Sequence, residues 1–185
     1  MRAFISINLT AAVRDAILRF QKEQDQKIHN IRWTKPDNIH LTLKFLGEVE
    51  DQTAETLAQI LPPVARQFSP FPLEIAGIGT FPPRGPLSIL WMGVKKGLSS
   101  LTALEAQIRQ AMEAADIPFD KKAFVPHLTI ARAIRNRRVF FVPGKEFEEY
   151  SFGTMQVEAF HLMESQLLPD GPIYTERIRF EFPFL

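Results

Sequence analysis

Two hydrophobic periods take turns along this chain. Arg2 to Asn8 is β-rich and close to alternating, which predicts a strand. Thr10 then suits an N-cap, and Val13, Ile17, Leu18 and Phe20 follow at helical spacing. After a turn at Asp37-Asn38, Ile39 to Leu46 predicts a second strand closed by Gly47. A helix is expected over about Asp51 to Gln67, with Ala54, Leu57, Ile60 and Leu61 on one face and a break or kink at Pro62-Pro63. Leu73 to Ile78 predicts a strand, Phe81 to Pro86 a loop, and Leu87 to Val94 a strongly apolar strand. Leu101, Leu104, Ile108 and Met112 define a helix from Ser99 to about Ala115, and a strand is expected over Val125 to Ala131. The basic stretch Arg132 to Arg138 suits a solvated loop. Thr154 to Leu167, a turn at Pro169-Asp170-Gly171-Pro172, and Ile173 to Phe182 predict one β-hairpin.

The order strand, helix, strand occurs twice. The second strand of each unit carries nearly the same string, His40-Leu41-Thr42-Leu43 and His127-Leu128-Thr129-Ile130, offset by 127 − 40 = 87 residues. The same offset carries Phe4–Leu9 onto Trp91–Lys96, in or just past the matching strand. String and architecture together indicate an internal duplication, with units at about 1–50 and 85–135. Two related lobes facing each other across a cleft are expected.

Side chains alternate faces along a strand. His40 and Thr42 therefore share one face and Leu41 and Leu43 the other; His127 and Thr129 oppose Leu128 and Ile130 in the same way. If the lobes are related by a pseudo-twofold, two histidines and two threonines converge on the cleft. In-line attack of water on a cyclic phosphate needs a proton acceptor on one side of phosphorus and a donor on the other. Histidine serves either task near neutral pH, and threonine hydroxyls can donate to the non-bridging oxygens. By the same parity Lys44 is expected to project into the cleft. Arg132, five residues after His127, is the basic residue expected to reach it and bind substrate phosphate. Trp33, Phe81 and Phe124 are candidates to stack a base, although large aromatics more often belong to the core.

A lone strand histidine is usually structural; the repetition with threonine two residues on is what favours chemistry. A zinc site would need further ligands, and only His29 and His161 remain. Neither has ligand-like spacing; His29 sits in a polar segment and His161 in an alternating strand. No metal and no cofactor are expected.

Composition adds exclusions. The chain has 185 residues with 45% hydrophobic and 23% charged, the balance of one globular domain. There is no cysteine, which removes disulfides, thiolate zinc sites and cysteine nucleophiles and accords with a cytoplasmic setting. The sixteen phenylalanines point to aromatic burial as a main source of stability. The net charge of +1 confines any anion-binding surface to a local patch. No apolar run reaches the ~18–20 residues of a membrane span. P-loop and Gly-x-Ser-x-Gly motifs are absent from the sequence.

The paired His-x-Thr-x strings resemble the 2H phosphoesterase superfamily. Arg2-Ala3-Phe4-Ile5, Ile31-Arg32-Trp33, Asn38 to Glu48, Pro126 to Arg132, Glu164-Ser165 and Gly171 to Tyr174 resemble its RNA 2′,3′-cyclic phosphodiesterase branch, also called 2′-5′ RNA ligase. The resemblance spans almost the whole chain. It implies a bilobal α+β fold, with an antiparallel sheet flanked by helices in each lobe, making one domain over 1–185. It implies hydrolysis of RNA 2′,3′-cyclic phosphate ends to 2′-phosphates, with ligation as a secondary reaction. It assigns His40 as general acid and His127 as general base, with Thr42 and Thr129 holding the phosphate. A monomer is expected. The rival expectations are a phosphodiesterase of small cyclic nucleotides and a non-catalytic module binding RNA ends.

Overall fold

A computed structural model describes residues 1–169 and 171–184. In chain order the elements are β1 (Arg2–Asn8), α1 (Ala11–Gln24), β2 (Ile31–Trp33), β3 (His40–Glu48), α2 (Asp51–Ala65), β4 (Phe71–Phe81), β5 (Ile89–Val94), α3 (Leu98–Ala114), β6 (Leu128–Ala133), β7 (Ser151–Val157), β8 (Ala159–Leu168) and β9 (Gly171–Glu181). The strands form a curled antiparallel sheet in the order β7-β4-β5-β6-β3-β1-β8-β9, with β2 added on β6. The architecture is α+β, as expected.

The sheet has two halves. In one, β1 pairs with β3 and β8, and β8 with β9; in the other, β4 pairs with β5 and β7, and β5 with β6. The halves meet where β3 lies beside β6, at the pair Leu41↔Leu128. These two leucines differ by 128 − 41 = 87, and the starts of β1 and β5 differ by 89 − 2 = 87. The helices cross between halves: α1 follows β1 yet packs on β7, and α3 follows β5 yet packs on β3 and α2. Val13, Ile17 and Phe20 of α1, Leu57 and Leu61 of α2, and Leu101, Leu104, Ile108 and Met112 of α3 are buried with Leu41, Leu43, Leu128 and Ile130 in one core. Many of the phenylalanines do lie in it; Phe160 stacks on Phe180 with ring centroids 4.9 Å apart.

Several expectations needed correction. α2 runs through Pro62 and Pro63 without a break. The carbonyls that lose their donors belong to Ala58 and Gln59, both exposed residues, so the missing bonds fall on the solvent side of the helix. Gly47 does not close β3. It lies inside the strand with φ of +75°, opposite Ala3, at a register shift where a residue with a side chain would be strained. β6 begins at Leu128 rather than Val125; Pro126 has no N–H to give to a ladder. Arg132 and Ala133 belong to β6, which leaves only Arg135 to Arg138 as the solvated loop. The expected C-terminal hairpin is three strands. It breaks at Glu158, so that β7 joins the half containing β4 while β8 and β9 pair with each other in the half containing β1. The expected turn includes Asp170, which lies outside the described residues. The three-residue strand β2 is an addition that periodicity is too short to reveal. No helix among the described residues is long and apolar enough to cross a membrane.

Candidate active site

The Leu41↔Leu128 pairing organises the cleft floor. Moving one residue outward along antiparallel strands sets His40 opposite Thr129 and Thr42 opposite His127. All four then share the face opposite the buried leucines, with the histidines on a diagonal. Diagonal neighbours on such a ladder have Cα atoms roughly 7–8 Å apart, room for one tetrahedral phosphorus between the rings. All four side chains line one cleft of about 400 Å³.

The two rings are held alike. His40 Nδ1 donates to the carbonyl of Asn38 at 2.9 Å, and His127 Nδ1 donates to the carbonyl of Val125 at 2.7 Å. A carbonyl only accepts, so each neutral ring carries its proton on Nδ1 and its lone pair on Nε2. Thr42 Oγ1 lies 3.0 Å from His40 Nε2. Aromatic rings brace each imidazole. Phe4 stacks on His40 at 4.6 Å and Tyr174 meets it edge-on at 5.1 Å. Phe81 meets His127 edge-on at 5.2 Å, with Trp91 at 6.5 Å. Phe4 and Trp91 are themselves 91 − 4 = 87 apart. Trp91 lies over Gly79, its cross-strand partner, where a Cβ would run into the indole.

Burial pushes the pKa of His40 down to about 4; the Asn38 carbonyl opposes this, and nearby His127 adds to it. His40 is therefore neutral at pH 7 in the ligand-free cleft. Burial also raises Tyr174, while Arg132 and Arg2 act in the opposite sense.

Lys44 does not reach the cleft. In the ladder with β1, Ser6 pairs with Thr42 but Ile5 pairs with Lys44, so Leu43 is an extra residue that inverts the parity beyond it. Lys44 turns inward, where it is buried, ion-paired with Glu105 of α3 and set over the Phe119 ring. Phe45 faces the cleft instead. A second bulge occurs at the equivalent place in β6. Trp91 pairs with Thr129 and Leu90 with Ala131, so Ile130 is extra. That bulge turns Arg132 onto the cleft wall, where the sequence placed it.

Trp33 also lines the cleft, its indole N–H donating to Asp25 at 2.7 Å. Phe124 packs against the core. His29 is exposed, and His161 is buried with Nδ1 2.8 Å from a Glu176 carboxylate oxygen. Among the described residues no three His, Cys, Asp or Glu side chains cluster as metal ligands. Sequence reasoning overlooked Phe45, Tyr174 and Trp91; for Trp91 the 87-residue offset from Phe4 was the available signal.

Comparison with known proteins identifies the family and the fold. The chain matches the LigT-like phosphoesterase family over residues 7–91 and 93–174. A protein of Aquifex aeolicus, named RNA 2′,3′-cyclic phosphodiesterase, is 32% identical over 95% of this chain and 94% of its own. One of Archaeoglobus fulgidus with the same name is 32% identical over 98% of this chain and 100% of its own. A crystal structure of a Thermus thermophilus protein superposes with a TM-score of 0.81 at 28% identity, covering 98% of each chain. Escherichia coli LigT complexed with 3′-AMP has the same fold, with a TM-score of 0.78 at 23% identity over 98% of this chain and 97% of that one.

Proposed function

The chain belongs to the LigT-like phosphoesterase family, and from that premise we propose that it hydrolyses 2′,3′-cyclic phosphates at RNA ends to 2′-phosphates. The observation that carries this reading is the pair of histidines, each tied through Nδ1 to a backbone carbonyl and set diagonally across a floor shared with Thr42 and Thr129.

In the proposed reaction, phosphorus sits between the two rings. His127 accepts a proton from water through Nε2 as the water oxygen bonds to phosphorus. The bond from phosphorus to the ribose 3′ oxygen breaks in line, and His40 delivers a proton to that oxygen. Thr42 and Thr129 hold the non-bridging oxygens, which carry the developing charge, and Arg132 on the cleft wall binds substrate phosphate beyond the reacting one. His40 is neutral in the empty cleft. The phosphate monoanion supplies the opposite charge that raises its pKa and loads it with the proton it must give. A second turnover requires the proton to pass from His127 back to His40 through solvent.

The two strand–helix–strand units are, on this reading, copies of one ancestral unit; the pairing of Leu41 with its equivalent Leu128 supports this. We place the protein in the cytoplasm, acting as a monomer. Joining a cyclic phosphate to a 5′-hydroxyl is the same displacement with ribose oxygen in place of water, and is secondary here.

The test uses an oligoribonucleotide ending in a 2′,3′-cyclic phosphate. A 2′-phosphate product is expected, and a 3′-phosphate would overturn the assignment of the leaving oxygen. His40→Ala and His127→Ala should each lower turnover by roughly 10² to 10⁴. No turnover by the wild type, with RNA-end binding unchanged in both variants, would leave a binding module as the correct reading.

A further inference from the structure

Strand β2 pairs with nothing but β6 among the described residues, and the pairing sets Arg32 directly opposite Arg132. Like charges directly opposite on antiparallel strands destabilise a sheet. Nothing nearby relieves them: among the described residues neither arginine makes an ion pair. Both are exposed and both line the cleft that holds His40 and His127.

The arrangement is nonetheless built firmly. Gln21 of α1 is buried, and its side-chain amide donates to the carbonyls of Thr34 and Ile130, each at 3.1 Å. It thereby staples the end of β2 to β6. The Thr34 N–H donates to the Ile130 carbonyl at 2.9 Å, and the Ile134 N–H to the Asn30 carbonyl at 2.9 Å, closing the pair at both ends. On β6, the bulge at Ile130 is what turns Arg132 toward the cleft. Two exposed arginines are thus held at one register position, with no ion-pair partner among the described residues.

We propose that Arg32 and Arg132 form a second anion subsite, which takes the phosphate on the 5′ side of the terminal nucleoside and so favours oligonucleotide ends over lone nucleosides. The proposal rests on the hydrolase reading above and adds to it the feature of RNA that is recognised. Arg132 lies three residues beyond Thr129, roughly 10 Å along the strand. A guanidinium reaching back toward the floor shortens that separation to the span of one nucleotide. Guanidinium forks fit phosphate oxygens two at a time. A bound phosphate would neutralise the repulsion between the two arginines, so ligand and fold are stabilised together.

The experiment compares kcat/KM on three substrates: a nucleoside 2′,3′-cyclic phosphate with a free 5′-hydroxyl, the same nucleoside with a 5′-phosphate, and a dinucleotide ending in the same cyclic phosphate. The wild-type protein should prefer the two phosphate-bearing substrates about tenfold or more. Arg32→Gln should bring that ratio close to one, with Arg32→Lys between. The slope of log kcat/KM for the dinucleotide against log salt should become shallower by ~0.7 in Arg32→Gln. The ligand-free Tm of Arg32→Gln should equal or exceed that of wild type, because one member of a repelling pair is gone. A gain only from the dinucleotide assigns the subsite to an internucleotide diester rather than a terminal phosphate. A ratio near one in the wild type, or unchanged in Arg32→Gln, would overturn the subsite while leaving the hydrolase reading intact. So would a fall in Tm accompanied by equal loss on all three substrates. Failure of the wild-type protein to open any of them would overturn both.

Discussion

Replacing Lys44 by methionine separates two accounts of that residue. Strand parity alone sends its ammonium into the cleft, where its loss would weaken phosphate binding. In the folded protein it is buried against Glu105, with side chains 5% and 8% exposed. Methionine fills a similar volume but leaves the Glu105 carboxylate in the core without its partner. Breaking a buried ion pair from one side costs about 3–5 kcal/mol, a large share of the ~5–15 kcal/mol typical of a whole domain. For 185 residues the unfolding entropy near Tm is about 0.4 kcal/mol per kelvin, so Tm should fall by about 10 °C. Lys44→Met/Glu105→Leu removes both charges and should recover most of that loss, since a buried pair replaced by apolar residues of similar size is often neutral. Thermal unfolding followed by circular dichroism gives the three Tm values, and kcat/KM measured well below the lowest of them gives activity. Activity within about threefold of wild type is expected in both variants, because neither touches the cleft floor. An unchanged Tm in Lys44→Met with turnover reduced a hundredfold would refute the inward placement. A double variant no more stable than the single one would refute the coupling.

Three other outcomes are expected. The kcat/KM profile, which reports the free enzyme, should be bell-shaped with both limbs set by the histidines as a coupled pair, one of them near pH 4, and that limb should move upward in kcat once phosphate is bound; a kcat/KM profile with no limb near pH 4 would contradict the desolvated His40. The same burial sets a stability trend. The folded pKa of His40 lies below its unfolded value, so the unfolded chain binds the proton more tightly, and stability present above about pH 6.5 should decline by about 3 kcal/mol as pH falls through 4; denaturant titrations of wild type and His40→Asn should differ over that window. Gly79→Val leaves no room for the Trp91 indole beside His127, so tryptophan fluorescence should shift and turnover fall at least tenfold; wild-type kinetics would argue that Trp91 does not brace the ring. Activity should persist after EDTA and dialysis, and a loss restored by added divalent metal would sink the metal-free acid–base mechanism.

The sequence by itself determined a good deal. The apolar periods gave the helices nearly residue by residue, because each buries one face against a common core. The repeated His-x-Thr-x string, with its 87-residue offset, was enough to expect two paired strands and a shared floor. Alternation of side chains then named His40, Thr42, His127 and Thr129 as cleft residues. The family resemblance, rather than the residues themselves, divided acid from base.

Tertiary structure decided the rest, and the reasons are physical. A bulge adds one residue without changing local composition, so nothing in the string Thr42 to Phe45 announces that parity inverts at Leu43. That inversion buries Lys44 and exposes Phe45 to the cleft, and its counterpart at Ile130 delivers Arg132 to the wall. Strand partners are equally invisible in an alternating run: β7 and β8 read as one strand, yet Glu158 divides them between the two halves of the sheet. The opposition of Arg32 and Arg132 exists only because a three-residue strand, too short to have a period, is held against β6 by Gln21. Residues distant in sequence come to share a charge environment through pairing and burial, and those are properties of the folded sheet rather than of any segment read alone.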